Sequence, residues 1–246
     1  MSSGGLSAAE IDSFVTTGYV ALRRAVPLDV VSEVREAAAA RVPADYEECW
    51  FLGGASVYDL PVLVGALTPS VRDAFDSLVG EGRWHLAARW GFPTRLPGPG
   101  GNAVGWHIDG DWFTHHLTSG EQVLSPIFLW DDVGPGDGPT LLALGSHHVV
   151  ARLLGGAEPI GIPGDEIGTF FHKRLQVNET IAASGTAGDV IICHPFLAHS
   201  VNPIGPRRPR YISNIAVHGF AQLNLDPVAA ELSPVESAIA MALAGH

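Results

Sequence analysis

The chain has 246 residues, of which 14 are lysine or arginine and 26 are aspartate or glutamate, so its formal net charge is −12. A surplus of acidic residues provides no basic surface for a phosphate backbone, and we therefore expect no nucleic-acid partner. The hydrophobic fraction of 46% and the charged fraction of 16% exclude a disordered chain.

The N-terminal part of the chain is predicted to be mainly helical. The predicted elements are, in order, a helix from the capping box Ser7–Glu10 to Gly18, a strand at Tyr19–Leu22, and helices over Pro27–Arg41 and Pro69–Val79. We expect these helices, over about residues 7–80, to pack on the outside of the chain that follows.

From about residue 84 onward, short apolar runs separated by Gly and Pro predict many short strands. The predicted strands are Trp84–Trp90, Val104–Asp109, Val123–Trp130, Thr140–Leu144, Val190–Cys193 and Arg210–Val217. This spacing predicts a mainly β fold with flanking helices, a barrel or jelly roll with its β core over about residues 84–217. Because mainly β chains of this length commonly form one domain, we expect a single domain over residues 1–246. The Gly-rich stretch 154–179 is predicted to be either a lid or a passive surface loop.

Nothing in the sequence predicts secretion or membrane insertion. The start Met1–Gly5 lacks a basic region followed by an apolar run, and no apolar stretch reaches membrane-spanning length. Cys49 and Cys193 are far apart and indicate no disulfide framework. We therefore expect a cytoplasmic protein with no membrane partner, and the sequence leaves its oligomeric state open.

The first part of a candidate metal site is the segment Gly105–Gly110. On a strand, His107 and Asp109 project to the same face, so an imidazole and a carboxylate can bind one divalent ion together. Two histidines and one carboxylate that leave other coordination positions open are typical of non-haem iron(II) oxygenases. A His-x-Asp triplet alone is a weak signal, and Asp111 continues the same-face alternation as an alternative ligand.

A third ligand is expected from a distant strand. The strand Val190–Cys193 is followed by two candidate histidines, His194 and His199, and then by three arginines, Arg207, Arg208 and Arg210. An arginine on the next strand is the expected partner of a dicarboxylate co-substrate, because its planar guanidinium binds a carboxylate through two parallel hydrogen bonds. The combination is more specific than any of its parts.

Taken together, these segments resemble the phytanoyl-CoA dioxygenase-like branch of the 2-oxoglutarate-dependent oxygenases. The resemblance runs from Leu6 to about Val217. It rests on the entry Leu6–Arg24, the ligand pair in Gly105–Gly110, the turns Gly138–Thr140 and Gly145–His147, and the tail Gly188–Asn214. It implies a double-stranded β-helix, a cupin-like variant of the jelly roll, with the site between its sheets.

The resemblance also selects among the candidate residues. The family places its distal histidine about ten residues after a Gly-Asp turn, which selects His199, and its co-substrate arginine eleven residues later, which selects Arg210. The implied catalytic and metal-binding residues are therefore His107, Asp109 and His199, with Fe(II), 2-oxoglutarate and O2 as cofactors. The implied reaction is the oxidation of a C–H bond of a small molecule, with succinate and CO2 as co-products, in secondary metabolism.

Two features of the sequence bear on how far this likeness extends. The family often has a hydroxyl residue two positions after the distal histidine, where this chain has Val201. The residues that could take its place beside Arg210 are Thr140, Ser200 and Ser213. Halogenating relatives lack the carboxylate ligand, so Asp109 favours hydroxylation or a related oxidation.

The sequence leaves the substrate contacts and the class of reaction open. Candidate substrate contacts are Asp111, Trp112 and His115, which follow the ligand pair, and Phe170 and His172 in the predicted lid. One alternative function is a cupin-like metal-dependent isomerase or hydrolase, which would not need Arg210. The other is a non-catalytic jelly roll that binds a small molecule, which would not need an intact metal triad.

Overall fold

The N-terminal elements follow the sequence prediction closely. The computed structural model describes residues 5–42, 61–97, 105–172, 174–203, 205–228 and 230–245. Helix α1 (Ala8–Thr17) begins at a capping box in which the Ser7 and Glu10 side chains bond each other's backbone N–H groups, and it ends at Gly18. Gly18 has φ 91°, a left-handed conformation that favours glycine, and strand β1 (Tyr19–Leu22) follows directly.

Two further predicted helices are confirmed, with a short helical turn between them. Helix α2 spans Leu28–Ala39, a 3₁₀ helix spans Pro61–Ala66, and helix α3 spans Pro69–Val79. Thr68 caps α3, since its side chain accepts a hydrogen bond from the Val71 N–H group, and proline occupies the first helical position. Cys49 lies outside the described residues.

A five-stranded antiparallel sheet, here called the major sheet, forms the centre of the fold. Its strands are β1, β2 (Trp84–Gly91), β3 (Ser125–Leu129), β6 (Val190–Cys193) and β8 (Ile212–Gly219), in the order β1-β6-β3-β8-β2. The minor sheet has three antiparallel strands, β4 (Thr140–Ala143), β5 (Thr180–Ala182) and β7 (His199–Val201), in the order β5-β4-β7. The predicted mainly β architecture with flanking helices is confirmed.

Side chains of the major sheet alternate between its two faces. On β3, Phe128 belongs to a large apolar cluster shared with the helices, whereas Ile127 and Leu129 belong to a second cluster. This second cluster also contains Leu142 of the minor sheet and Ala183, which follows β5. The two sheets therefore face each other across the second cluster, and the candidate site lies between them.

Two sequence predictions about local structure were wrong, and a third segment contains a helix that was not predicted. Residues 105–109 form no strand; there His107 makes a single antiparallel bridge to His199, and Val104 lies outside the described residues. The predicted turn at Gly145–His147 is the start of helix α4 (Ser146–Gly155). The stretch 154–179 contains helix α5 (Gly164–His172), whose Ile167 and Phe171 side chains are buried in the large apolar cluster.

A C-terminal helix, α6 (Pro234–Ala244), completes the described structure, and it was not predicted. It packs against α1, α3 and α4, and its buried side chains join the large apolar cluster. Within the described residues, no helix has both the length and the apolar character needed to cross a membrane.

Buried histidines connect α4 and α6 to the rest of the fold. The Nε2 atoms of His147 and His148 both lie 3.0 Å from the Val15 carbonyl oxygen in α1. His194 is fully buried, and its Nε2 lies 3.3 Å from the Val235 carbonyl oxygen at the start of α6. Burial lowers the pKa of His147 to about 3, with a further contribution from His148.

Stability is therefore expected to fall in acid through His147. Because its pKa is about 3 in the folded protein and about 6.5 when unfolded, the unfolded state binds the extra proton as the pH falls below 6.5. Each pH unit in that window costs about 1.4 kcal/mol of unfolding free energy. Denaturant titrations at pH 7 and pH 5 give the loss of unfolding free energy between the two pH values. This loss should be about 2 kcal/mol smaller in His147→Gln than in wild type. The exposed control His85→Gln should keep the wild-type drop, and equal drops in all three proteins would contradict the assignment.

Candidate metal centre

Two histidines that are far apart in sequence meet at the edge of the minor sheet. His199 opens β7, and its backbone exchanges two hydrogen bonds with His107, at 3.0 Å and 2.9 Å. The two imidazole ring centres are 4.4 Å apart. The backbone bridge therefore sets the spacing of the two rings.

Asp109 completes the cluster from the same segment as His107. Its Oδ1 atom lies 3.4 Å from Nε2 of His199, and its Oδ2 atom accepts a hydrogen bond of 2.7 Å from the Ser125 hydroxyl. One ligand atom from each of His107, Asp109 and His199 lies within 4.8 Å of the other two. The structure brings the predicted triad together, and it is the one such group of three among the residues described.

Backbone contacts orient both imidazole rings for metal binding. Nδ1 of His107 lies 2.9 Å from the Gly105 carbonyl oxygen, and Nδ1 of His199 lies 3.2 Å from the Leu197 carbonyl oxygen. A neutral imidazole that donates from Nδ1 presents the Nε2 lone pair as its acceptor. Each histidine can therefore offer Nε2 to a metal ion while the backbone holds its ring.

The electrostatics of the cluster favour an ionised carboxylate. Burial opposes the charged form of Asp109, but the charge of His199 and hydrogen bonds from His199 and Ser125 outweigh it and hold the pKa of this carboxyl well below its usual value. Burial alone would lower the pKa of His199, yet the facing Asp109 raises it. A divalent cation would displace the shared proton, so binding is expected to release a proton from this pair.

The triad lies on the wall of a cavity of about 230 Å³ between the two sheets. The lining residues come from both sheets and the connecting segments: Pro93, His107, Asp109, Ser125, Ile127, Thr140, Cys193, His199, Ser200, Val201, Arg210, Ile212 and Asn214. The wall beside the triad is thus partly apolar, with a few hydroxyl and amide groups. A cavity of this kind can hold a small molecule next to a bound metal ion.

Arg210 brings a buried positive charge to this cavity, and it is the one arginine in the described lining. The residue is 4% exposed, and its Nη1 and Nη2 atoms donate to the carbonyl oxygens of Gly138 (2.6 Å) and Pro93 (3.0 Å). Arg207 and Arg208 are exposed, and Arg208 pairs instead with Asp137. The structure therefore separates Arg210 from its two neighbours, as expected for a residue that binds a ligand.

The three hydroxyl residues considered beside Arg210 take different positions. Thr140 and Ser200 line the cavity, as does Val201. Ser213 does not line it, because it lies on the opposite face of β8, where its Oγ accepts a hydrogen bond of 2.8 Å from the Trp130 indole. Thr140 and Ser200 remain candidates for the cofactor site, and the structure does not bring Ser213 to it.

Three of the residues predicted to contact substrate, Asp111, Trp112 and His115, do not line the cavity. Asp111 is exposed, and Trp112 is 57% exposed beside Phe113. His115 is buried, and its Nε2 lies 2.7 Å from the Gly110 carbonyl oxygen, which indicates a structural role. The side chains of Phe170 and His172 lie outside the described part of the structure.

Two polar residues of the cavity were missed in the sequence. Ser125 lies on β3 and bonds to Asp109, while Asn214 lies on β8 opposite Ile127. Both occupy strand positions that alternate with residues of the large apolar cluster, so each was detectable as a polar residue on the inward face of a predicted strand.

Comparisons with known proteins agree with this architecture. No family model matches the chain, and no curated protein matches it. Among solved structures, it is similar to the epimerase SnoN in complex with Fe³⁺, α-ketoglutarate and nogalamycin RO, with 17% identity over 85% of this chain and 82% of that one (TM-score 0.63). It is also similar to HygX from Streptomyces hygroscopicus with nickel and 2-oxoglutarate bound, with 13% identity over 89% of this chain and 90% of that one (TM-score 0.60).

A third similar structure is EctD from S. alaskensis with 2-oxoglutarate and 5-hydroxyectoine, with 21% identity over 87% of this chain and 76% of that one (TM-score 0.57). The similarity to all three extends over most of each chain. It confirms the predicted jelly-roll fold, the double-stranded β-helix.

Proposed function

We propose that this protein is an Fe(II)- and 2-oxoglutarate-dependent oxygenase of the phytanoyl-CoA dioxygenase-like branch. The observation that carries the proposal is a cluster of two imidazoles and one carboxylate on the wall of a cavity that also contains the buried Arg210. Two of the structures of similar fold contain iron or nickel together with 2-oxoglutarate or α-ketoglutarate. We further propose that the whole chain forms one catalytic domain.

The donor set of the cluster fits iron(II). His107 and His199 would each provide Nε2, and Asp109 would provide Oδ1, the oxygen that faces His199. Two nitrogen donors and one carboxylate oxygen leave coordination positions open for other ligands, as non-haem iron(II) oxygenases require. Three donors held in place by hydrogen bonds also need little reorganisation to bind the ion.

The chain itself would bind and orient the co-substrate. Arg210, held by two backbone carbonyls, is placed to bind the far carboxylate of 2-oxoglutarate, with Thr140 and Ser200 as further hydrogen-bonding groups. When bound, iron(II), 2-oxoglutarate and O2 would together provide the chemistry that oxidises a substrate C–H bond, with succinate and CO2 as co-products. The apolar residues of the cavity, among them Ile127 and Ile212, would keep water away from the reacting groups.

The substrate is proposed to be a small molecule of secondary metabolism. Two of the similar structures contain small organic molecules, 5-hydroxyectoine and nogalamycin RO. The position of the cavity between the two sheets and its limited volume also favour a small ligand over a polymer. A cupin-like isomerase or hydrolase would not need an arginine at the cavity, and a non-catalytic binding protein would not need an intact triad.

Anaerobic titration with 2-oxoglutarate tests the proposal directly. Protein loaded with Fe(II) should develop the visible metal-to-ligand charge-transfer band of a bound 2-oxo acid. Arg210→Ala should raise the 2-oxoglutarate concentration that gives half of the full band by about 10- to 100-fold, because a charged hydrogen-bonded contact of about 1.5–3 kcal/mol is lost. The matched control Arg207→Ala removes an exposed arginine three positions earlier and should titrate like wild type. Absence of the band in wild-type protein shown to hold iron would refute the proposed function.

A further inference from the structure

The Asp109 carboxylate has two oxygens in different surroundings. Oδ1 faces the Nε2 atom of His199 at 3.4 Å, on the side where the three ligand atoms converge. Oδ2 accepts the 2.7 Å hydrogen bond from Ser125. Because the serine hydroxyl occupies Oδ2, Oδ1 is the oxygen that faces His199 and is left available to a metal ion.

Ser125 is held much more firmly than the aspartate it contacts. It opens β3, the central strand of the major sheet, it is paired with Cys193 of β6, and it is only 8% exposed. Asp109 lies outside any regular strand and precedes Gly110, whose φ of 115° turns the chain sharply. The carboxylate therefore depends on a side-chain contact to the sheet for its orientation.

We propose that Ser125 is a positioning residue that fixes the Asp109 carboxylate so that Oδ1 is presented to the metal. A hydrogen bond from a hydroxyl to an ionised carboxylate is charge-assisted and strong enough to select one rotamer. Contacts of this kind to metal ligands commonly change metal affinity by about 10- to 100-fold when they are removed. With Oδ2 occupied by the serine, the carboxylate would bind through one oxygen and leave the other coordination positions to the co-substrate. This inference rests on the proposed function, since it assumes that the triad binds a metal ion.

Binding of Co(II) to the apoprotein tests this role, because Co(II) takes the same nitrogen and oxygen ligands as Fe(II) and has visible bands that report its coordination. Ser125→Ala should bind Co(II) about 10- to 100-fold more weakly than wild type and with altered visible bands. Ser125→Thr retains the hydroxyl, and its methyl group can enter the adjoining cavity, so it should restore the wild-type affinity and spectrum.

Ser213→Ala is the matched control. It also removes one buried hydroxyl, with its 2.8 Å hydrogen bond, from the major sheet, but on the face away from the cavity. It should bind Co(II) like wild type, and the two apoproteins should melt within a few degrees of each other. This comparison separates loss of positioning from a general loss of stability.

The outcomes distinguish this inference from the function on which it rests. Unchanged Co(II) affinity and spectrum in Ser125→Ala would overturn the positioning role while leaving the oxygenase assignment intact. Unchanged Co(II) binding with weaker 2-oxoglutarate binding would also overturn it, because the hydroxyl would then serve the co-substrate. Failure of wild-type protein to bind Co(II) would overturn both.

Discussion

Replacing His199 with alanine is expected to remove metal binding and with it all 2-oxoglutarate turnover. In the proposed site His199 would supply one of three protein donors, and its backbone bridge to His107 holds the two rings close together. With a donor lost, iron(II) affinity should fall by more than about 100-fold, beyond the effect of removing a residue that only supports a ligand. Anaerobic Fe(II) binding and succinate formation measure the two consequences separately.

The same experiment can decide between the alternative carboxylate ligands. Asp109→Ala should lose metal binding as His199→Ala does, whereas Asp111→Ala should keep it, because Asp111 is exposed and lies outside the cluster. His116→Ala provides the control for the loss of an imidazole, since His116 contacts Glu158 at the surface. Iron binding of wild-type strength in His199→Ala would contradict the ligand assignment.

The clustering of His107, Asp109 and His199 could be predicted from the sequence although the local structure could not. The prediction assumed that His107 and Asp109 share one face of a regular strand, but the segment makes only the single bridge to His199. The backbone then turns at Gly110, whose positive φ no regular strand accommodates. The backbone bridge to His199 still brings both side chains into one cluster, so the predicted grouping is observed although the predicted strand is not.

Strict use of the two-residue strand period would have improved the prediction of which residues line the cavity beside Arg210. On the predicted strand Arg210–Val217, the residues Arg210, Ile212 and Asn214 share a face, and all three line the cavity. Ser213 lies between them and must point the other way, where it contacts Trp130. Ser213 was a candidate for the site beside Arg210 because it has a hydroxyl group. Its position in the strand alternation places it on the other face, and the same alternation indicates Asn214 as the polar residue on the cavity side.

Two of the helices that were not predicted, α4 and α6, differ in how far they were predictable. Helix α6 begins with Ser233 and Glu236 in the same capping-box pattern as Ser7 and Glu10 of α1, so its start was visible in the sequence. Helix α4 begins after Gly145, which has φ 70° and offers no side chain to cap the helix. Such a start carries no local capping signal, and tertiary packing against α6 stabilises the helix.

Glu236 provides the second large expected effect, this time on stability. Its side chain is fully buried at the start of α6, where the Arg83 guanidinium donates to both carboxylate oxygens. The backbone N–H groups of Asn224 and Ser233 donate to the same carboxylate at 2.7 Å and 2.8 Å. Glu236→Ala therefore leaves several donors unsatisfied in a buried region, and breaking a buried ion pair costs about 3–5 kcal/mol.

The lower end of this range applies, because the Arg83 side chain is 41% exposed and water can replace part of the lost contact. We therefore expect Glu236→Ala to reduce the unfolding free energy by about 3 kcal/mol. Glu236→Gln keeps an acceptor of nearly the same shape and should cost about 1–2 kcal/mol. Denaturant titration at pH 7 measures both changes, and an alanine variant as stable as wild type would show that the charge and its contacts contribute little.

The dependence on pH separates the ionised carboxylate from the shape of its side chain. Burial would raise the pKa of Glu236, but the hydrogen bonds from Arg83, Asn224 and Ser233 outweigh it, so the folded-state pKa is lowered. The stabilisation is then fully present above the unfolded pKa of about 4.3 and is lost as the pH falls towards the lower folded-state value. Glu236→Gln cannot titrate, so its stability deficit relative to wild type should shrink between about pH 5 and pH 3. A deficit that stays constant across that range would mean that the Glu236 carboxyl has the same pKa in the folded and the unfolded protein, and that its charge does not strengthen the link between Arg83 and α6.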